Sequence, residues 1–585
     1  MLRKLLSHIG VYKKYAVLTP IFAALEVFME TLIPYITASL IDEGVSAGNM
    51  DAIYRYGFLM LAVAFASLCF AILAGRFAAN ASTGFAYNLR DAMFRRVQTY
   101  SFANIDRFST GGLITRLTTD VNNIQNAFQM SIRMAVRAPL TLISSMVMCF
   151  VTNVRISLLF LGALLVLAGV LVFFMRKVTK IFEQVFKKYD LLNADVQENI
   201  SGIRVVKAYV REEFENEKFG RAARVLYDFS VRAEKIMALT GPIMNLVIYA
   251  LIIMISWFGA HFIVAGDMTT GNLTSFFSYI MTCMMSLMML VAIFVMLTMS
   301  LASGRRIVEV LDEVPAIADP EDPVMEVTDG SIDFDDVFFS YKEGGGDPVL
   351  RDIDLHIPSG STVGIIGGTG SGKTSLVSLI SRLYDVNEGS VKVGGVDVRQ
   401  YDLETLRNKV SVVLQKNVLF AGSILDNLRW GKEDATLEEC KAACRAAAAD
   451  EFIDQMPDGY ETHIEQGGAN VSGGQKQRLC IARALLKEPK VLILDDSTSA
   501  VDTATDARIR QSFRESIPGT TKLIIAQRIS SVMDSDMIVV MDNGTISAVG
   551  SHEELLESSA IYREIYETQT SGGGDFDEAG SGREV

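Results

Sequence analysis

Residues 362–374 read TVGIIGGTGSGKT, a mainly apolar run followed by a glycine-rich loop that closes on Lys-Thr. The run predicts a buried strand, and the residues after Thr374 predict a helix. That is the context a phosphate-binding loop requires. Gly367, Gly368, Gly370 and Gly372 let backbone N–H groups close on phosphate oxygens, and Lys373 would neutralise the β and γ phosphates. Thr374 would hold Mg²⁺, and Thr369, Ser371 and Ser375 complete the loop's candidate nucleotide contacts. Further along, residues 491–494 (VLIL) predict a second buried strand ending in Asp495, whose carboxylate can reach the Mg²⁺ shell. Taken alone, these two motifs specify a nucleoside-triphosphate site of the P-loop type and nothing narrower.

Upstream of this site the chain changes character. With 585 residues it exceeds one ordinary domain. It is 50% hydrophobic yet 21% charged, which reads as an oily half joined to a polar half. Six stretches, near 17–41, 55–80, 134–153, 156–176, 241–265 and 273–301, are each long enough to cross about 30 Å of hydrocarbon. Segment 42–51 holds three acids and no Lys or Arg, and the turn around Asp267 also lacks bases. Arg90, Arg95 and Arg96 follow the second stretch, Arg176, Lys177, Lys180, Lys187 and Lys188 the fourth, and Arg305 and Arg306 the sixth. The positive charge predicts a cytoplasmic location for these ends and for both termini, in a plasma or bacterial inner membrane. Arg3, Lys4, Lys13 and Lys14 precede the first stretch without a cleavage site, so the start reads as a basic amphipathic segment on the inner surface, not a signal peptide.

Connections 81–133 and 177–240 keep a helical pattern and would carry the span helices into the cytoplasm. A glycine pair in 105–120 (IDRFSTGGLITRLTTD) predicts a break and a short transverse helix, and 198–213 (ENISGIRVVKAYVREE) predicts another. Glu26 and Glu30 lie one helical turn apart in the first span. Two readings stand: a cavity wall favouring cationic or polar cargo, or else helix-to-helix hydrogen bonding or a headgroup-level position. Met281, Met284, Met285, Met288 and Met289, with Met296 and Met299 beyond, form a stripe that reads as packing or lipid-facing methionine, with an adaptable binding wall as the alternative.

Pro315, Pro320 and Pro323 among acids mark a linker over 315–330. The predicted organisation is therefore an all-α six-helix transmembrane domain (1–314), the linker, an α/β P-loop cassette (331–570) and a disordered tail (571–585). The net charge of −14 excludes a nucleic-acid footprint, which is basic. The six cysteines make no zinc spacing, and Cys440 and Cys444 read as ordinary thiols in a reducing cytoplasm.

Residues 471–475 (VSGGQ), followed by KQR and then ARAL at 482–485, resemble the signature motif of the ATP-binding cassette family. Tyr341 stands at the position of its adenine-stacking aromatic, Gln415 in its Q-loop and residues 499–502 (SAVD) in its D-loop. The order and spacing match along essentially the whole chain, and the fused cassette with six spans resembles exporter half-transporters such as bacterial multidrug exporters. Importers of this superfamily usually carry their cassettes on separate chains. The resemblance implies a head-to-tail pair of cassettes binding ATP and Mg²⁺. Each ATP lies between one phosphate loop and the other chain's Ser472, Gly473, Gly474 and Gln475, with Asp502 nearby. Gln415, with Thr374 and Asp495, would serve Mg²⁺. Short helices near 106–110 and 211–215 would couple the cassettes to the spans.

Three positions depart from the family pattern. After Asp495 a hydrolytic cassette has Glu to polarise the attacking water, and here it is Asp496, one methylene shorter. A displacement of about 1 Å lowers a rate by about a hundredfold. The γ-phosphate histidine is replaced by Gln527 in 525–528 (IAQR), and an amide can neither become cationic nor shuttle a proton. Residues 462–468 (THIEQGG) match the family's X-loop only loosely. The first two changes fall in one ATP site, while the signature is intact. That pattern resembles the degenerate subunit of heterodimeric exporters: an ATP-hydrolysing translocase half whose own site turns over weakly. Its expected partner is a different half-transporter bearing Glu and His at these two positions. The alternatives are a homodimeric exporter or a lipid or peptide flippase with Asp496 as the working base, and, further off, an ATP-gated channel or sensor. The six spans exclude a soluble P-loop enzyme and a DNA-repair cassette.

Overall fold

The computed structural model of this chain describes residues 1–341, 346–497 and 501–571. The predicted tail from residue 572 and the D-loop residues Ser499 and Ala500 lie outside the described residues. The chain forms two compact units: Met1–Gln98 with Thr110–Glu313, and Thr99–Ser109 with the chain from Val314 onward.

Among the described residues, six helices of the first unit are long and apolar enough to cross a membrane: Lys13–Ser39, Met50–Gln98, Val121–Thr152, Val154–Ser201, Glu212–Val264 and Thr270–Asp312. Each overlaps one of the predicted spans; 17–41 runs two residues past Ser39, and 134–153 and 241–265 run one residue past Thr152 and Val264. The second has 49 residues, and at 1.5 Å per residue it reaches about 74 Å, far beyond the hydrocarbon thickness. Tight turns between spans are set by side-chain caps. Asn153 alone separates the third and fourth helices, and its Oδ1 accepts from the N–H groups of Arg155 (3.0 Å) and Ile156 (3.2 Å). Thr269 caps the sixth in the same way through Asn272 N–H.

The spans approach one another through small residues, as helices do where lipid supplies no hydrophobic drive. Ala74, Ala78, Ala81 and Ser82 bury one face of the second helix. A Cβ on Gly271 would stand 2.3 Å from the Ala38 carbonyl oxygen, so only glycine admits that approach. Ile156, Phe160, Leu164 and Leu167, at helical spacing on the fourth helix, pack into one core with Leu251, Ile255, Phe276 and Ile280. Met284 joins that core, while Met281, Met285 and Met288 face outward one turn apart. The methionine stripe is thus divided between packing and an exposed face.

The short helices differ from the sequence expectation. The first break falls at Ser109 (φ 55°), after helix Phe102–Phe108, and the glycine pair lies inside the next helix, Thr110–Thr115. The reason is local: Ser101 and Asn104 form a capping box that starts the first helix early. The second short helix, Ile203–Ala208, lies within the predicted 198–213 but ahead of the 211–215 expected for the coupling element. The chain turns at Val210 (φ 53°), and Glu212, Glu213 and Glu215 occupy the first turn of the next long helix, where acids complement the N-terminal dipole. Residues 99–109 belong to the second unit through specific bonds. Asn104 donates to Val314 O (3.0 Å) and accepts from Ala316 N–H (3.0 Å), and Tyr384 Oη donates to Asp106 Oδ2 (2.7 Å).

Among the described residues the second unit has two large sheets and a two-stranded one, Gly422–Ser423 with His463–Ile464. An antiparallel sheet has the order Leu350–Ile357, Ile332–Phe339, Glu388–Val393, Val396–Asp397. The larger sheet has the order Thr545–Gly550, Met537–Asp542, Thr362–Gly367, Thr521–Ile525, Val491–Asp495, Val410–Val413, and all its pairings are parallel except the Thr545–Gly550 edge. Strands Val491–Asp495 and Thr521–Ile525 are buried along their whole length, as both faces of a parallel sheet must be. Ile525 is level with Asp495 and with Ile365, so three strands release their loops side by side at one carboxyl edge. Ligands of open α/β sheets bind at that edge.

Candidate functional site

The phosphate loop leaves Thr362–Gly367 through glycines in conformations closed to other residues: φ is 83° at Gly370 and 96° at Gly372. Gly367 also passes too close for a side chain, since a Cβ there would lie 2.2 Å from Met541 O. The loop feeds helix Lys373–Ile380. The Lys373 ammonium turns back into the loop and donates to Gly367 O (2.9 Å), Gly368 O (2.8 Å) and Ser371 Oγ (3.3 Å). Burial lowers the Lys373 pKa, opposed by the nearby charges of Asp495 and Asp496. Thr369 and Gly370 lie at the loop's exposed turn. Ser375 Oγ meets the Tyr341 hydroxyl at 2.8 Å, which ties the predicted adenine platform to the start of the loop helix.

Asp495 ends its strand 3% exposed, with Thr374 Oγ1 donating to its Oδ1 at 3.2 Å. Burial pushes the Asp495 carboxyl above the ordinary range and the Asp496 charge adds to this, while the Thr374 bond and Lys373 oppose it. A hydroxyl and a carboxylate side by side are hard oxygen donors. They fit Mg²⁺, which binds through one or two such groups together with substrate phosphates. Asp496 sits at φ 49° just past the strand. Its Oδ2 accepts from Gln527 Nε2 at 2.9 Å and lies 3.5 Å from Gln415 Nε2. The structure therefore joins Gln415 to Asp496, with no bond from it to Thr374 or Asp495 among the described residues.

Tyr341, the loop from Gly367 to Ser375, Gln415, Asp495, Asp496 and Gln527 converge at the sheet edge. The signature residues form a separate surface. Ser472 caps the 13-residue helix Gly473–Leu485, accepting from Gln475 N–H, and Gln475 Oε1 accepts in return from Ser472 N–H (2.9 Å). This is a capping box, legible as S-x-x-Q, and it leaves Gly473 and Gly474 in the first turn of an N-terminus suited to an anion. Asp502 caps helix Thr503–Ser516 through Thr505 N–H, and that bond holds its carboxyl below the usual range. In the loosely matching segment 462–468, Gly467 (φ 70°) donates to Leu419 O, close to the Gln415 loop.

Two features were not found by sequence reading. Tyr384 packs edge-on against Tyr341 (ring centroids 5.0 Å apart) while bonding Asp106. Gln569, on the last described helix, donates to Gln527 O and accepts from Ile529 N–H, both at 2.8 Å. Neither contact leaves a short-range sequence signal. In the membrane-spanning unit, Arg137 bonds Glu26 Oε1 at 3.1 Å and both oxygens of Glu30 at 2.8 and 2.9 Å. Both acids of the first span thus meet a cation of the third, as in the helix-to-helix reading.

Residues 17–287 match the family model described as the ABC transporter transmembrane region, and residues 350–499 match the one described as ABC transporter. The chain is 34% identical over 568 residues to the uncharacterized ABC transporter ATP-binding protein YfiB of Bacillus subtilis (strain 168), covering 97% of this chain and 98% of that one. It is 35% identical over 575 residues to an uncharacterized ABC transporter ATP-binding protein of Mycobacterium tuberculosis (strain ATCC 25618 / H37Rv), again covering 97% and 98%. Its fold is similar to that of a bacterial Atm1-family ABC exporter solved with ATP bound: TM-score 0.81, 24% identity, 96% of this chain and 100% of that one.

Proposed function

The chain belongs to the ABC transporter family, and from that premise we propose that it is the weakly hydrolytic half of a heterodimeric exporter. Its cargo is small amphipathic or drug-like molecules, and its ends lie in the cytoplasm of a plasma or bacterial inner membrane. A fused transmembrane region and ATP-binding domain make it an ATP-driven transporter half that works as a dimer. The observation that carries the finer reading is the bond between Gln527 and Asp496 at 2.9 Å. Where a hydrolytic cassette aims a glutamate at water, this one turns a shorter carboxylate onto a neutral amide.

In this reading Tyr341 stacks on adenine, the loop from Gly367 through Ser375 wraps the phosphates, and Lys373 exchanges its loop carbonyls for β and γ oxygens. Thr374 and Asp495 would hold Mg²⁺, which would offset phosphate charge, and Gln415 would report the state of the site. Gln527 donates to the γ-phosphate but relays no proton. ATP is therefore held rather than turned over. Ser472, Gly473, Gly474, Gln475 and Asp502 complete the partner's site, where hydrolysis takes place. The helices Phe102–Phe108 and Ile203–Ala208 couple the cassettes to the spans.

The test is ATPase turnover of the purified chain in lipid, alone and with the half-transporter it captures. The expected result is a nearly silent lone chain, restored turnover with the partner, and loss of turnover when the partner's own base is changed to Gln. Asp496→Glu should raise turnover at this chain's site by about a hundredfold, the worth of restoring about 1 Å of reach. Brisk turnover of the lone chain as a homodimer would refute the degenerate-site reading and make Asp496 a working base.

A further inference from the structure

The segment after strand Thr521–Ile525 carries Gln527, and it is held from two sides. On one side, Ser531 Oγ donates to the buried Asp506 Oδ2 (3.2 Å) on helix Thr503–Ser516, while Arg510 and Arg514 of the same helix reach Asp534. On the other side stands helix Ala560–Ser571. It is fixed to helix His552–Ser558, at whose start His552 Nδ1 meets Tyr562 Oη at 2.7 Å, and Tyr562 is fully buried. In the last turn of helix Ala560–Ser571, Gln569 places its amide across the chain. Nε2 donates to Gln527 O and Oε1 accepts from Ile529 N–H, each at 2.8 Å.

This two-point grip fixes the peptide planes on both sides of Arg528. The plane between residues 527 and 528 adjoins the Gln527 Cα, so fixing it through Gln527 O constrains the direction in which that side chain leaves the backbone, and the side chain ends on Asp496 Oδ2. Ile529 also begins a three-residue 3₁₀ turn whose first N–H has no partner within the turn, so capping alone would explain half of the contact. It would not explain the second bond, from the same amide to Gln527 O.

We propose that Gln569 is a positioning residue for the γ-phosphate switch: through the backbone of residues 527–529 it keeps Gln527 aimed at Asp496 and at the nucleotide held there. The proposal rests on the reading of Gln527 given above. The last helix is thereby part of the ATP site, and a displacement of that helix is transmitted to the switch through one side chain.

The experiment measures release of a radiolabelled, photoreactive ATP in the full complex in lipid, with the nucleotide still bound at each time point photo-cross-linked to show which chain holds it. Gln569→Ala removes both bonds, and Gln569→Glu keeps the acceptor for Ile529 N–H while losing the donor to Gln527 O. Gln527→Ala sets the scale. Gln569→Ala should speed release about tenfold, the worth of one to two net hydrogen bonds, with Gln569→Glu in between. The double variant Gln527→Ala/Gln569→Ala should release no faster than Gln527→Ala alone, because residues acting through one contact are not additive. If Gln527→Ala speeds release and Gln569→Ala changes only the melting temperature, Gln569 is a helix cap and the proposal falls. If Gln527→Ala has no effect on release, the γ-phosphate role of Gln527 is wrong, and the role of Gln569 falls with it.

Discussion

Glu26 and Glu30 in the first unit, and Asp495 and Asp496 in the second, are two acid pairs, each with one deeply buried member, Glu26 and Asp495, and they are met by different chemistry. The membrane pair shares a guanidinium: Arg137 bonds three of its four carboxylate oxygens. The cassette pair accepts from a hydroxyl and two amides, those of Thr374, Gln527 and Gln415. A buried carboxylate needs a compensating charge. In the spans the protein supplies that charge itself, as a helix-to-helix tie that leaves the buried Glu26 Oε2 without a hydrogen-bond partner. In the cassette a buried Asp495 beside Thr374 has its charge only partly offset, by Lys373 at longer range. Such a group suits an exogenous cation. The comparison separates an acid paired within the protein from an acid left to the cation that the proposed function assigns to it.

The largest expected effect breaks the first half of the comparison. Arg137→Met leaves Glu26, 3% exposed in its side chain, beside Glu30 with no bonded cation. Removing one partner of a buried pair costs about 3–5 kcal/mol. Thermal unfolding in lipid nanodiscs should show a drop of several degrees or outright loss of folded protein. Adding Glu26→Gln and Glu30→Gln to Arg137→Met should recover most of the loss, because neutral amides do not need the guanidinium. An unshifted Arg137→Met would mean that the acids are solvated and the tie is ornamental, which would return them to the cavity-wall reading.

The second half is tested by Asp495→Asn, with effects of opposite sign on stability and binding. Burial holds the Asp495 pKa above its unfolded value. The folded state therefore binds more protons than the unfolded state in the interval above pH 3.8, and stability falls as pH rises through that interval. In EDTA the wild-type chain should lose stability across this window, and Asp495→Asn should flatten that part of the profile and be about 1 kcal/mol more stable near neutrality. The same variant should weaken Mg²⁺-dependent ATP retention by about tenfold or more. Equal melting of the two proteins in EDTA at every pH would show that the cassette acid is as well compensated as the membrane pair.

The same contrast explains how much was legible in the sequence. The loop 367–374, the acid after VLIL and the six apolar stretches announce themselves because each depends on residues adjacent in the chain. The pairing of Glu26 and Glu30 with Arg137 does not, since 107 residues separate Arg137 from Glu30 and hydropathy reports only that both lie in oily segments. Sequence alone leaves two roles open for these acids for that reason. The short helices moved for a different reason. Gly111 and Gly112 carry the compositional signal for a break, but the capping box of Ser101 and Asn104 starts the helix upstream of them, at Phe102. Gln569 and Tyr384 were invisible because each acts through a loop brought to it by the sheet order.

The smallest predicted effect converts one side of the comparison into the other. Gln527→His gives Asp496 a partner that can carry charge, at a position exposed to solvent. Because the carboxylate favours the imidazolium, the folded-state pKa of the introduced imidazole would lie above about 6.5, its unfolded value. The added stability is then fully present below that value and is lost as pH rises through the folded pKa. For an exposed pair the gain is about 0.5 kcal/mol and shrinks with salt. Melting at low ionic strength should thus show a small rise at about pH 5.5 that is absent at about pH 8.5, on either side of the imidazole's titration, with Gln527→Asn as the uncharged control. If Gln527→His adds nothing at either pH, the Asp496 charge is already compensated by its surroundings, and in this respect the cassette pair resembles the Arg137 pair. If the gain appears, combining Gln527→His with Asp496→Glu tests the site directly. Base and proton-shuttling partner are then both restored, and turnover should exceed that of Asp496→Glu alone at pH values where the imidazole titrates.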